Sequence, residues 1–124
     1  QIEPVHLLAA MLDQQGGTVR PLLTKTGAVI PELRNALDKL LDGMPEVEGA
    51  AGEVHISNDL SKLLNLCDKY AQKKGDDYIA SELFLLAALE DKGMLGDKLK
   101  ALGLTRDMVS TAIDEMRGGQ AVTD

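Results

Sequence analysis

Seven consecutive apolar residues, Leu83 to Leu89, follow Ser81-Glu82. Leu and Ala favour helix, and a helix that is apolar on every side has to be enclosed by other elements. The stretch from Ile79 to Leu89 therefore predicts a central pillar, with the Ser81 hydroxyl placed to cap its first free backbone N–H groups. The same word stands earlier, as Ile2-Glu3-Pro4-Val5-His6-Leu7-Leu8-Ala9-Ala10-Met11-Leu12, with Pro4 near the first helical position, where its missing N–H costs nothing. The chain has two pillars.

Laying His6 on Phe84, a shift of 78, also aligns Leu7 with Leu85, Leu8 with Leu86, Ala9 with Ala87, Ala10 with Ala88 and Asp13 with Asp91. Past the glycine turns the shift becomes 76, and Leu23 falls on Leu99, Gly27 on Gly103, Ala36 on Ala112 and Asp38 on Asp114. Agreement over three successive elements indicates an internal duplication. Two such units pack most simply about a pseudo-twofold axis, pillar near pillar.

Each unit carries the same punctuation. Gly16-Gly17 breaks the first pillar, Thr18 caps a short helix from Val19 to Lys25, and Gly27 stops it. From Pro31, Leu33, Ala36, Leu37, Leu40 and Leu41 share one helical face. In the second unit a short helix leads to Gly103, and Thr105 caps a last helix whose Met108, Val109, Ala112, Ile113 and Met116 are expected to face inward. Between the units, Gly43, Pro45, Gly49 and Gly52 mix with Glu46, Glu48 and Glu53 in a solvated linker. Ser57-Asn58-Asp59 then caps an amphipathic helix running to Lys74.

The expected fold is all-α, a single domain over 1–117: repeat 1 about 1–42, linker 43–56, repeat 2 about 57–117, with 118–124 beginning a flexible tether. The helix from Asn58 to Lys74 has no first-repeat counterpart in this sequence, which opens on Gln1 inside the repeated pattern and so reads as a fragment. The first helix of repeat 1 is thus expected to be missing, leaving an apolar strip uncovered on the first pillar.

Composition excludes several functions. A formal charge of −7 repels phosphate backbones, so nucleic acid and anionic membrane surfaces are poor partners. The one cysteine, Cys67, cannot form an internal disulfide, which suits a reducing cytoplasm. No apolar run approaches the ~20 residues needed to cross a bilayer. There is no Gly-x-x-x-x-Gly-Lys-Ser/Thr phosphate loop, and His6 and His55 have no Cys or carboxylate at metal-ligand spacing, so neither a catalytic motif nor a cofactor or metal site is expected in this segment. His6 and Cys67 read as structural residues of their helices.

What is left over is apolar surface. Leu66 lies about 240° round its helix from Leu60, away from the side shared by Leu60, Leu63, Leu64 and Cys67. Leu83 and Leu85 are hard to bury together with Phe84 and Leu86, and Tyr78 stands in a turn beside two aspartates. These residues either finish the core between repeats or floor a shallow groove, rimmed by Asp76, Asp77 and Glu82, that suits extended peptide with apolar and basic side chains.

The two pillar words, joined through Leu64-Asn65-Leu66-Cys67-Asp68-Lys69 and Lys74-Gly75-Asp76-Asp77, resemble the Clp amino-terminal repeat domain over essentially the whole chain, and within it the form carried by bacterial protein disaggregases. The resemblance implies a non-enzymatic, pseudo-twofold helical domain on a mobile linker ahead of two ATPase modules that bind ATP and form a homohexameric ring. It implies capture of unfolded or aggregated polypeptide for threading, in cooperation with the DnaK chaperone system, in the cytoplasm during stress. By the same resemblance Asp76 and Glu82 form a polar rim and Leu66 and Leu83 an apolar floor, Tyr78 being added from its turn position. The alternatives are the adaptor-binding domain of a protease-coupled Clp unfoldase and a structural spacer regulating the ATPase ring.

Overall fold

The computed structural model describes residues 1–44, 55–76, 80–90 and 93–118. Among these lie seven α-helices: α1 Pro4–Asp13, α2 Val19–Lys25, α3 Ile30–Asp42, α4 Asn58–Lys74, α5 Ser81–Glu90, α6 Met94–Ala101 and α7 Arg106–Arg117. Much of the expected linker lies outside the described residues. Its last residues are tied down, because Ile2 pairs in parallel with Ile56, the Ile2 N–H donating to the His55 carbonyl at 2.8 Å and the Ser57 N–H to the Ile2 carbonyl at 3.0 Å.

Caps follow the sequence at two of the four expected places. The Ser57 hydroxyl accepts from the Leu60 N–H at 3.1 Å and the Thr105 hydroxyl from the Met108 N–H at 3.2 Å. Thr18 precedes α2 without using its side chain. Ser81 is not a cap: α5 opens one residue earlier than expected, with the Leu83 N–H bonded to the Ala80 carbonyl at 3.0 Å.

The duplication is visible in backbone detail. After α2, Gly27 at φ 88° donates to Thr24 and Ala28 donates back to Leu23; after α6, Gly103 at φ 93° donates to Lys100 and Leu104 to Leu99. This is the left-handed glycine stop that satisfies the last carbonyls of a helix, placed identically in both units. The buried residues beneath it match too: Leu23 with Leu99, Leu33 with Val109, Leu37 with Ile113.

The core is centred on α5. Every residue from Glu82 to Leu89 is buried, and the helix touches α1, α2, α4, α6 and α7. Leu83, Leu85 and Leu86 are all enclosed beside Phe84, so that of the two readings open for Leu83 and Leu85 they finish the core; with five partners there is no outward side. α1 is surrounded less completely. Leu7 and Met11 are half-buried and Ala10 exposed, whereas their counterparts Leu85, Ala88 and Leu89 are all enclosed. The α4–α5 contact has no equivalent on α1 among the described residues. On α7, Val109, Ala112 and Ile113 face the core, but Met108 and Met116 are 39% and 38% exposed, contrary to the inward positions expected of them.

Gly27 and Gly103 have open space where a Cβ would stand, so alanine at either meets only the cost of a left-handed backbone. Gly27→Ala and Gly103→Ala are each expected to lower unfolding free energy by about 1–2 kcal/mol, by similar amounts, in urea denaturation.

Candidate functional site

The expected rim is assembled from three helix ends. α4 stops at Gly75, whose φ of 76° lets its N–H reach the Gln72 carbonyl and the Asp76 N–H reach that of Ala71 at 2.8 Å. That stop fixes where Asp76 leaves the helix. Glu82 lies in the first turn of α5, where the unsatisfied N–H groups favour a carboxylate. Arg117 closes α7, one residue before Gly118 at φ 59°.

These three side chains meet. Arg117 Nη1 donates to both oxygens of Asp76, at 3.1 and 2.9 Å, and Arg117 Nε donates to Glu82 Oε1. The Asp76 and Glu82 side chains are 0% and 7% exposed, and that of Arg117 10%. Burial works against the guanidinium charge, but the hydrogen bonds from Glu82 and Asp76 outweigh it and hold Arg117 above its ordinary pKa. The two acids are brought together as expected. They are not a solvent-facing lip, because a cation 41 residues beyond Asp76 covers them. The sequence signal was weak: an arginine in a last helical turn is ordinarily explained by the helix dipole, and nothing local connects it to acids so far away.

Leu83 is wholly enclosed, so it does not line an open floor. Leu66 is half-buried and packs against the core, keeping part of its side chain accessible. Tyr78 lies outside the described residues, as does Asp77. Leu7, Met11 and Leu66 are half-buried and Ala10 exposed; among the described residues the more exposed large apolar side chains are Val29, Ile56, Met94, Leu102, Met108 and Met116.

A second hollow, of about 70 Å³, lies where the starts of α1, α4 and α6 approach the end of α3, lined by Val5, Leu40, Met44, Leu63 and Met94 with Glu3 and Asp59. Among the described residues no group of His, Cys, Asp and Glu is arranged to hold a metal ion, and no helix is long and apolar enough to cross a membrane. Cys67 is enclosed, and burial pushes its thiol up to about 11; His6 Nδ1 accepts the Glu3 N–H at 2.9 Å, capping α1. Both are structural, in line with their positions in the sequence.

Comparison with known proteins adds lineage to this geometry. The family described as Clp repeat (R) N-terminal domain matches residues 1–102. The chain is 54% identical over 123 residues to Chaperone protein ClpB of Vibrio cholerae and 48% identical to that of Pseudomonas putida, alignments that cover 99% of this chain and 14% of either relative. It superposes on the Hsp104 N-terminal domain of Candida albicans with a TM-score of 0.83 at 27% identity, covering 100% of this chain and 81% of that one.

Two measurements check the burial pattern. Leu83→Ala is expected to cost about 2–5 kcal/mol of stability, and Leu66→Ala under about 1 kcal/mol, by chemical denaturation. At pH 8 Cys67 is expected to react with a disulfide reagent only as the chain unfolds, since a thiol raised to about 11 is scarcely ionised there. Because the unfolded thiol ionises near 9 and the folded one does not, stability should fall as pH rises from 9 towards 11.

Proposed function

From the chain's membership of the Clp repeat N-terminal domain family, in which it is the amino-terminal domain of a ClpB/Hsp104-type chaperone, we propose that it captures exposed apolar segments of unfolded or aggregated polypeptide. The captured client passes to the ATPase modules of a parent disaggregase that assembles as a homohexamer and cooperates with the DnaK system in the cytoplasm. ATP is bound there and not in this domain. The chain spans only 14% of the ClpB relatives, so chemistry on the client belongs to the remainder.

The observation that carries this reading is apolar surface on a rigid support. Leu66 on α4 keeps part of its side chain accessible, while α5, against which α4 packs, is buried from Glu82 to Leu89. Such a surface binds apolar side chains without reorganising its own backbone. Leu66 is the contact residue of the proposed set. Asp76, Glu82, Leu83 and Tyr78 complete the proposed set, of which Leu83 is enclosed and the two acids are covered by Arg117. Adaptor binding and a pure spacer role remain the competing readings, distinguished by what the surface binds.

The test is an NMR titration of the 124-residue chain with a reduced, permanently unfolded polypeptide. Perturbed amides are expected to cluster at Leu66 and Asp76, and Leu66→Ser is expected to weaken binding about threefold to tenfold while melting stays near that of the parent chain. Unchanged affinity in Leu66→Ser with an unperturbed spectrum at these amides would favour the spacer.

A further inference from the structure

We propose that Asp76 and Glu82 form a guanidinium-binding site that Arg117 occupies in cis, and that an arginine of a client segment takes its place, releasing the last turn of α7. This rests on the client-capture reading and names the control of that same surface.

The first support is the way Arg117 fits. A guanidinium matches carboxylates best when two of its nitrogens each meet an oxygen. Here Nη1 alone spans both Asp76 oxygens and Nε serves Glu82, while Nη2 is buried without a hydrogen-bond partner. An arginine held at the end of its own helix reaches the acids from one side only. One arriving on an extended peptide is free to turn its fork toward them.

The second support is the weak attachment of the element that carries it. Ile113 is the last enclosed apolar residue of α7; Asp114, Glu115 and Met116 are all exposed. Beyond Ile113 the turn is held by Arg117 itself and by two side-chain ion pairs, Lys74 with Asp114 at 3.4 Å and Lys25 with Glu115 at 3.1 Å. Gly118 has already turned the backbone out of the helix. Helix ends of this kind open at little cost in free energy. Replacing one buried guanidinium by another conserves the charge balance at the two acids. A lysine, a point charge without the planar fork, satisfies the same acids less well. The chain's −7 charge draws cationic segments towards it in any case.

The exchange is tested with three fluorescent 15-residue peptides of leucine and alanine that carry two arginines, two lysines or two glutamines. They are titrated by anisotropy into the 124-residue chain and its Arg117→Gln variant, and amide hydrogen exchange of the unaltered chain is followed with each peptide bound. Arg117→Gln is expected to bind the arginine peptide about tenfold tighter and the glutamine peptide within about twofold of the parent, and adding Glu82→Gln is expected to abolish the gain. In the unaltered chain the arginine peptide should speed exchange of the Glu115 to Gly118 amides and the glutamine peptide should not. If the glutamine peptide binds but arginine confers no gain in Arg117→Gln, or the α7 amides keep their protection with the arginine peptide bound, the exchange proposal is overturned and capture stands. Should none of the peptides bind either chain, capture fails and the exchange with it. If Arg117→Gln does not fold, the hydrogen-exchange comparison on the unaltered chain decides alone.

Discussion

A helix with no polar side has no stable place at a surface, and enclosing α5 sets the rest of the molecule around it. Each Leu or Phe removed from water there contributes about 1.5–3 kcal/mol before entropy is counted. Such a run therefore demands neighbours on every side, and α1, α2, α4, α6 and α7 are those neighbours. The first repeat supplies two of them and the second repeat the others, so neither half would enclose the pillar alone. The same requirement joins the two units in one core cluster.

The demand for enclosure also brings opposite charges into a dry place. Glu82 is the second residue of a buried helix, and its carboxylate is drawn in with the backbone. Asp76 arrives by the glycine stop of α4. Two carboxylates brought so close would repel one another strongly in low dielectric, and the end of α7 delivers the one guanidinium that both touch. A buried ion pair of this kind adds little net stability over an apolar alternative. What it does provide is position: it docks the final turn of α7 where no apolar side chain does.

The fold was legible because its signals are local and repeated. The shift of 78 and then 76 located α1 to α3 and α5 to α7 as pairs, and Gly27 and Gly103 adopt the same left-handed stop. Errors came where a decision depended on the partner and not on the residue. Leu83 and Leu85 are hard to bury together with Phe84 and Leu86 from helix geometry alone, because one helix cannot show that five others surround it. Met108 and Met116 share the helical face of Val109, Ala112 and Ile113 only approximately, and they fall at its margins. The site was less legible than the fold. Sequence brought Asp76 and Glu82 together but placed them in water, since the Arg117 that covers them lies 35 and 41 residues further on.

That covering arginine changes what kind of binding the surface supports. With the acids occupied, an incoming peptide on the proposed capture reading meets mainly apolar side chains such as Leu66. A few leucines each worth ~1.5–3 kcal/mol are set against an association cost of about 4–15 kcal/mol, so the surplus is small and the proposed binding is weak. Weakness suits the proposed hand-over of a client, because a tightly held segment would oppose threading. Strength then has to come from number, and six such domains on the proposed ring raise the effective concentration of sites without any new contact. An arginine exchange adds discrimination to that arrangement at no cost in charge burial, since one guanidinium replaces another. Under the proposed exchange, selectivity for arginine-bearing segments is separated from the affinity that apolar contact supplies.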